Sequence, residues 1–336
     1  AVYLLARFFA GYDPLIWIGA AMTIYPGAAL GVVFAGDLIT LVMFAELATL
    51  ASALLVFATR TGPAYRAGMR FLTIQIIAGL ALTAGAAIYG VQAGTYLITG
   101  LGGLWNGLVI GIIDPSTFGG MLILIGVGIK AGFPLMHNWL TDAYPNTTET
   151  GAVVLSPYTT TMAVYLLARF FAGYDPLIWI GAAMTIYPVF FAVMENDLKK
   201  VLAYSTNNQI GFMVCAIGIG STLSINGAAA HAVAHIVFKT LLFMTMGAIQ
   251  LRVGTTKASE LGGLHRTMPW TALACIVGAV SISALPFFAG YTSKTMIMSA
   301  AESGPGMMVI WLMLMFASAG VLEHAGIKVP FMAFFA

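Results

Sequence analysis

The chain has 336 residues, of which 60% are hydrophobic and only 8% are charged, and its mean hydropathy is +0.95. Soluble domains carry about 25% charged residues, so this composition excludes an ordinary soluble domain and predicts a protein that crosses a membrane several times. The net charge of +2, without a basic cluster, argues against a nucleic-acid partner. Cys215 and Cys275 lie far apart in apolar surroundings, without the spacing of a metal site, and we interpret them as core residues.

The apolar runs are close to the roughly 20 residues that a membrane-spanning helix needs, and they do not alternate as barrel strands do. The sequence therefore predicts an all-α, polytopic transmembrane helix bundle with about ten spans. Residues 92–118 are rich in glycine and are predicted to form a loop. The predicted spans cover residues 14–36, 38–59, 69–91, 119–133, 151–172, 176–195, 201–220, 224–250, 270–300 and 307–336.

Three loops between the predicted spans carry most of the Lys and Arg residues. The positive-inside rule places such loops in the cytoplasm, and the even numbers of spans between them allow all three to lie on that side. The residues are Arg60, Arg66 and Arg70 in the first loop, Lys199 and Lys200 in the second, and Arg252, Lys257 and Arg266 in the third.

Residues 1–26 recur without change at 163–188. An old structural repeat would have drifted, so a recent rearrangement or a sequence-assembly error explains the identity better. Five predicted spans separate Asp13-Pro14 from Asp175-Pro176, and the two copies would therefore cross the membrane in opposite directions. We accordingly expect residues 1–26 to have no function, and we interpret residues 27–336 as a truncated membrane domain.

Four charged side chains lie within or beside apolar runs, where a charge has a high free-energy cost. They are Glu46, Lys130, Lys239 and Lys294. A charge at the bilayer centre costs about 2.5–3.5 kcal/mol on insertion scales, and such residues usually face a bundle interior or a wet cavity. Structural ion pairs between helices are the alternative. Burial disfavours the charged form of a lysine and a nearby carboxylate restores it, so a Lys–Glu pair can serve as a switchable proton site.

Two of these lysines lie beside predicted helix breaks. Gly132 and Pro134 follow Lys130, whereas Pro286 and Gly290 precede Lys294. Broken backbone at membrane depth is tolerated only inside protein or beside a water-filled cavity, and transporters build ion sites from such helices in two repeated halves. The pattern predicts two inverted-repeat-like halves with one broken helix each. Proline kinks used only for packing remain the alternative.

His231, His235 and Lys239 are spaced four residues apart, so they share one face of a helix. Histidine titrates near neutral pH, and the stripe is typical of a proton relay. Histidines with only a structural role are an alternative, and so is a zinc site, for which no third ligand is evident.

Five stretches that contain these residues resemble, in order, the proton-translocating antiporter family. That family includes the large membrane subunits of respiratory complex I and the A and D subunits of Mrp-type cation/proton antiporters. The stretches are LVMFAELATLASALL (41–55), GIKAGFPLMHNWLTDAYP (128–145), ENDLKKVLAYSTNNQIGFM (195–213), HAVAHIVFKTLLF (231–243) and SISALPFFAGYTSK (281–294).

Two further stretches resemble the Mrp-type D subunit more than complex I subunits: SELGGL (259–264) and HAGIKVPFMAFF (324–335). The chain departs from the family at two positions. Thr161 stands where many relatives have a lysine, and Leu155 stands where complex I subunits commonly have a histidine. One polar relay element is therefore missing or is replaced by the threonines at 159–161.

The resemblance implies a role for each candidate residue. Glu46 would be the acidic partner of Lys130, and Lys130 would take up and release a proton as that pairing changes. Lys294 would serve the exit half-channel, with Lys199 or Lys200 at its cytoplasmic mouth. Protons would pass along the central axis through Lys239, His231 and His235.

The resemblance further implies an integral protein of a bacterial-type inner membrane, surrounded by lipid and by other subunits of a hetero-oligomeric complex. The implied function is exchange of protons for Na⁺ or another monovalent cation. Proton pumping driven by redox chemistry in partner subunits, as in an NADH-quinone oxidoreductase or a membrane-bound hydrogenase, is the alternative. No dinucleotide-binding motif or cysteine cluster is present, so we expect no cofactor and no enzymatic site in this chain.

Overall fold

Short polar side chains begin many of the helices that the apolar runs form. In each case a side-chain oxygen accepts a hydrogen bond from the backbone N–H three residues later, which satisfies one of the free donors at the helix start. These residues are Asp37, Thr61, Thr117, Thr148 and Ser221.

The computed structural model describes residues 13–98, 104–105, 108–109, 113–304 and 306–336. Two short antiparallel strands, β1 (Leu104–Trp105) and β2 (Leu108–Val109), accompany the helices. The α-helices are α1 (Asp13–Phe34), α2 (Leu38–Phe57), α3 (Gly62–Ala93), α4 (Phe118–Ala131), α5 (Asn138–Asn146), α6 (Glu149–Phe171), α7 (Pro176–Met194), α8 (Leu198–Ile219), α9 (Thr222–Val253), α10 (Pro269–Ile282), α11 (Ala289–Glu302), α12 (Met308–Val321) and α13 (Val329–Phe334). A 3₁₀ turn covers Ala258–Glu260, and a π-helical segment, Leu322–Lys328, joins α12 to α13.

Helix α8 lies at the centre of the bundle. Nineteen of its 22 residues are buried, and it packs against α5, α6, α7, α9 and α11. Helix α9 in turn packs against α6, α10 and α11, whereas α3 packs against α2 and α4. Among the described residues, buried polar side chains are most numerous on α8 and α9.

Two loop crossings have the same hydrogen-bond pattern. In each, the residues before a helix (α2 or α8) pair in antiparallel fashion with the segment that follows the next helix (α3 or α9). The first crossing has the bonds Leu38 N to Tyr96 O and Ile98 N to Gly36 O, both 2.9 Å, and the second has Leu198 N to Thr256 O, 2.9 Å, and Ala258 N to Asn196 O, 2.8 Å.

The two predicted helix breaks are present, and their backbones follow one pattern. At the first, φ is +80° at Gly132 and +70° at Leu135; at the second, it is +58° at Ala284 and +74° at Phe287. A proline lies between the two left-handed residues in both cases. Left-handed backbone cannot continue a right-handed helix, so α4 ends and α5 begins across the first break as α10 ends and α11 begins across the second.

Six helices among the described residues are long and apolar enough to cross a membrane: Leu38–Phe57, Gly62–Ala93, Glu149–Phe171, Pro176–Met194, Thr222–Val253 and Met308–Phe334. The prediction was about ten spans. The remaining helices are shorter, as α4 and α10 are, or more polar, as α8 is. The all-helical prediction for the bundle is confirmed, whereas the number of spans stays a prediction.

The first copy of the duplicated segment lies partly outside the described residues, which begin at Asp13. The remainder belongs to α1, which packs against α2 and α6. Tyr25 of this copy is fully buried, and its hydroxyl shares a hydrogen bond of 2.5 Å with the hydroxyl of Thr159 on α6. The segment therefore occupies a packed position, and the interpretation of its origin stays a prediction.

Candidate functional site

Lys130 is enclosed by oxygen atoms from two neighbouring helices. Its Nζ donates hydrogen bonds to Thr49 Oγ1 at 2.8 Å and to Gln75 Oε1 at 3.4 Å, and it forms an ion pair with Glu46 Oε1 at 3.7 Å. The lysine is fully buried, whereas the Glu46 side chain is 34% exposed. The predicted pairing is thus present, and its acidic partner reaches the surface of the bundle.

Small residues make room for this pair. A Cβ atom at Gly79 on α3 would overlap the Glu46 carboxylate, so only glycine allows the carboxylate to lie there. Lys130 itself belongs to the last turn of α4, two residues before the left-handed Gly132 that ends the helix. Because a helix C-terminus favours a positive charge, the break contributes to holding the ammonium.

A cavity of about 10 Å³ adjoins the Lys130 ammonium, close to the space that one water molecule requires. Polar side chains line much of it, including Tyr25, Ser52 and Thr159 in addition to Thr49 and Gln75. Thr159 is one of the threonines at 159–161, where the sequence lacks or replaces a polar relay element of the family. Thr161 instead lines an apolar crevice with Leu30 and Pro157, away from this cavity.

A second polar cluster surrounds His231 on α9. Its Nδ1 lies 2.8 Å from Ser293 Oγ on α11, and its Nε2 lies 3.1 Å from Gln209 Oε1 on α8. Gln209 donates to Asn208 Oδ1 at 2.7 Å, and Asn208 donates to the carbonyl of Thr185 at 2.5 Å. Because both ring nitrogens of His231 already have partners, the arrangement favours a relay over the alternative of a zinc ligand.

Lys239 and Lys294 are fully buried near this cluster, and neither forms an ion pair with a carboxylate of the described residues. Lys239 donates to the carbonyl of Leu202 at 2.9 Å. Lys294 donates to the carbonyl of Ile282 at 2.9 Å, and its ammonium lies 5.0 Å from the Phe212 ring centre. Ile282 is the last residue of α10 before the second break. The break thus supplies the acceptor for Lys294, as a freed carbonyl should.

His235 lies between His231 and Lys239 along α9, as its spacing predicts. The ring is fully buried, and neither nitrogen makes a hydrogen bond with a described residue. An unpaired buried polar group costs about 1–3 kcal/mol. This position therefore differs from that of a satisfied core histidine and has unused capacity to donate or accept a proton.

Helix α6 connects the two clusters, because it packs against both α4, which carries Lys130, and α9, which carries Lys239. Ser156 on α6 and Ser205 on α8 have buried hydroxyls without hydrogen-bond partners among the described residues. Nearer the first break, Asn207 donates to the hydroxyl of Tyr187, whose ring lies 4.6 Å from that of His137. Polar groups therefore continue from one cluster toward the other.

Lys199 lies in the first turn of α8 and is buried against Glu149 and Asp197. The neighbouring Lys200 pairs with Glu195 at 2.8 Å. Burial is the largest single influence and acts to raise the pKa of Glu195, but the hydrogen bond and charge of Lys200 and the backbone N–H groups of Asn196 and Asp197 together leave the pKa below its usual value. Lys199 thus belongs to a charged cluster at one end of the bundle. Its role at the mouth of a half-channel stays a prediction.

Some residues of the clusters were missed from the sequence. Gln75 and Thr49 are uncharged polar residues in apolar helices that contain other polar residues too, so the sequence alone does not single them out. His324 was not among the predicted site residues, and it is fully buried within the π-helical segment. A π-helix has no simple sequence signature, so its position could be found only in the structure.

Comparison with known proteins agrees with this architecture. Residues 35–322 match the family described as NADH:quinone oxidoreductase/Mrp antiporter, TM. The A/B subunit of a probable K⁺/H⁺ antiporter of Rhizobium meliloti (strain 1021) is 34% identical over 312 residues, which are 89% of this chain and 31% of that protein. The D subunit of the Na⁺/H⁺ antiporter of Alkalihalophilus pseudofirmus (strain ATCC BAA-2126 / JCM 17055 / OF4) is 30% identical over 284 residues, which are 81% of this chain and 56% of that protein.

The fold is shared with a chain in the structure of the Mrp complex from Dietzia sp. DQ12-45-1b, with a TM-score of 0.85 and 24% identity over 97% of this chain and 61% of that one. The chain therefore spans from 31% to 61% of the length of these proteins. The resemblance inferred from the five stretches is confirmed. The chain is an integral membrane protein and belongs to the NADH:quinone oxidoreductase/Mrp antiporter transmembrane family.

Proposed function

We propose that this chain is the proton-conducting part of a subunit that exchanges protons for a monovalent cation. The observation that carries the proposal is the burial of three lysines, Lys130, Lys239 and Lys294, among polar side chains and helix breaks. A lysine can lose its proton where an arginine would stay charged. Intramembrane ionisable residues in such surroundings typically carry protons or ions.

In the first half, Glu46 and Lys130 form the switch. The carboxylate is partly exposed and lies 3.7 Å from the ammonium, so it can withdraw without unpacking the bundle. Without its negative charge nearby, the buried ammonium becomes less stable and releases its proton to water in the adjoining cavity. Return of the carboxylate favours renewed proton uptake by Lys130.

In the second half, mutual repulsion takes the place of the carboxylate. The positive charges of Lys239 and Lys294 repel each other. The hydrogen-bond acceptors of both ammonium groups among the described residues are backbone carbonyls. A proton that arrives at one lysine therefore disfavours a proton on the other. His231 and His235 lie on the same helix as Lys239, and neutral imidazole can accept a proton at one nitrogen while it donates from the other. These groups would move protons between the centre and Lys294, with Lys199 at the cytoplasmic end.

We infer that the two halves are related as inverted repeats. The matched crossings at Leu38 and Leu198 and the matched backbones at the two breaks support this relation. Each half would contain five helical spans, and the odd number would invert the second half relative to the first. About ten spans would follow, although α4 and α10 are each short.

The relatives suggest the cation and the surroundings. Their names refer to K⁺/H⁺ and Na⁺/H⁺ exchange, and the structure that shares the fold is of a complex. We infer that the chain works in a bacterial plasma membrane beside other subunits, with Na⁺ or another monovalent cation as the exchanged ion. Redox-driven proton pumping is the second candidate, because the family also includes subunits of NADH:quinone oxidoreductases.

Everted membrane vesicles that contain the assembled complex would test the proposal. An imposed proton gradient is monitored with a pH-sensitive dye, and NaCl or KCl is then added without NADH or quinone. The proposal predicts that the added cation dissipates the gradient. If the cation has no effect and proton movement requires electron transfer to quinone, exchange is ruled out and the redox candidate is favoured.

A further inference from the structure

His324 is the one histidine that the proposed path does not use although it is fully buried. It lies in the π-helical segment Leu322–Lys328 of the long helix Met308–Phe334. A π-helical turn inserts an extra residue and is found frequently at functional sites. The carbonyl of Gly320 faces the ring, but neither ring nitrogen forms a hydrogen bond of ordinary geometry with a described residue.

Close packing brings the π-helical segment to the second helix break. A Cβ atom at Gly320 would overlap Val189 on α7, and one at Gly326 would overlap Ser283 at the second break. The π-helical segment therefore fits between α7 and α10. The segment also packs against α8, whose Leu202 carbonyl accepts the hydrogen bond of Lys239, and the charges of Lys239 and Lys294 act on the His324 ring.

The other side of the same segment reaches the charged end of the bundle. Lys328, one turn after His324, donates to the carbonyls of Ala192, Val193 and Glu195 at 3.1, 2.6 and 2.7 Å. These carbonyls end α7, beside the ion pair of Glu195 with Lys200. His324 consequently lies between a buried lysine and a group of partly exposed charges.

We propose that His324 relays protons between Lys239 and the water-exposed end of α7, as a second outlet besides Lys294. This inference rests on the proposed proton path. The ammonium of Lys239 gives one proton to a ring nitrogen of His324, directly or through water, and the opposite nitrogen releases one proton to water near the Glu195 carboxylate. No electron is transferred, and the ring returns to its neutral form with its tautomer exchanged. Lys239, Lys294 and Lys328 are the charged groups whose electric fields act on the ring.

Water access at position 324 is tested first, independently of transport. In the assembled complex, with Cys215→Ala and Cys275→Ala as background, His324→Cys is compared with Ala317→Cys for reaction with a small neutral methanethiosulfonate. Ala317 is equally buried on α12, in apolar packing. The proposal predicts labelling at position 324 at least tenfold faster than at position 317. Equal rates would overturn it.

Proton relay is tested by replacement and chemical rescue. His324→Ala should slow cation-driven proton exchange at least tenfold, and added imidazole should restore part of the rate, whereas cyclopentanol of similar size should not. His265→Gln is the matched control, because this histidine binds the carbonyl of Phe334 outside the cluster. A wild-type rate in His324→Ala, or equal rescue by both compounds, would overturn the relay. If the unaltered complex shows no exchange, the proposed function fails, and the labelling rates still decide whether the outlet exists.

Discussion

Glu46 and Lys130 form an ion pair in which the carboxylate is not the closest partner of the ammonium. The Oε1–Nζ distance is 3.7 Å, whereas Thr49 Oγ1 lies at 2.8 Å. The hydroxyl of Thr49 thus holds the buried ammonium directly, and the carboxylate contributes charge from a partly exposed position. A pair with this geometry can open without leaving Lys130 free of hydrogen bonds.

Glu46→Gln tests the charge of this pair. Glutamine keeps the size of the side chain and one acceptor oxygen but removes the negative charge, so we expect cation-driven exchange to fall at least tenfold while the complex still assembles. Dye fluorescence in everted vesicles measures the rate. Glu260→Gln is the control, because Glu260 forms an exposed pair with Lys257, and such pairs contribute about 0–1 kcal/mol. Normal exchange in Glu46→Gln would contradict the switch.

Gly79→Ala tests the same pair without changing a charged residue. The added methyl group would overlap the Glu46 carboxylate and displace it from Lys130. We expect a loss of exchange close to that of Glu46→Gln. Gly27→Ala is a suitable control because no atom lies near the position of its Cβ. An unaffected rate in Gly79→Ala would show that the distance within the pair is unimportant.

Lys130→Arg separates proton transfer from charge pairing. Arginine keeps the positive charge but does not release its proton at physiological pH. We therefore expect the thermal stability of the complex to be nearly retained and exchange to be lost. Lys257→Arg is the matched control: Lys257 forms an exposed ion pair with Glu260, which arginine can also form. Measurable exchange in Lys130→Arg would favour a structural ion pair.

The matched breaks predict opposite effects of two small substitutions on stability. Ala284 has φ of +58°, where an L-residue other than glycine is strained by about 1–2 kcal/mol, so Ala284→Gly should raise the unfolding temperature in detergent. Gly132→Ala should lower it, because φ is +80° there and the new Cβ would lie 2.8 Å from Asn207 Oδ1. Shifts of the same sign in the two variants would contradict the shared backbone pattern.

Asp37 gives a pH-dependent contribution to stability. Hydrogen bonds from the backbone N–H of Thr40 and then from its hydroxyl hold the Asp37 pKa below its usual value. A lowered native pKa stabilises the fold above the unfolded-state pKa, and this contribution is lost as the pH falls through the native value. Asp37→Ala should therefore cost about 1 kcal/mol at pH 7, and the difference from wild type should shrink toward pH 3. A difference that is constant with pH would contradict this.

The sequence was sufficient for the parts of the site that depend on local patterns. Spacing alone placed His231, His235 and Lys239 on one helix face, and glycine and proline marked both breaks. Buried charge in an apolar run identified Glu46 and Lys130 as candidates, and the structure brings the two together. These features depend on one helix or on one pair of helices, so periodicity and composition reveal them.

Other parts depend on packing between distant segments. The contacts of Thr49 and Gln75 with Lys130 cross three helices, and uncharged polar residues are common enough in membrane helices to give no signal alone. The burial of His324 depends on a π-helical turn and on two close glycine contacts. The packed position of Tyr25 could not be predicted either. The exact duplication of its segment indicated an artefact, and no sequence pattern predicts the contact of Tyr25 with Thr159.

The central claim is that the buried lysines carry protons, and neutral replacement tests it most directly. Lys130→Met and Lys294→Met keep the length of the side chain but cannot bind a proton, whereas Lys257→Met alters only an exposed ion pair. Cation-driven proton exchange is measured in vesicles with equal amounts of assembled complex. The account predicts that exchange is abolished in both Lys130→Met and Lys294→Met and is normal in Lys257→Met. Full exchange in Lys130→Met and Lys294→Met would contradict it.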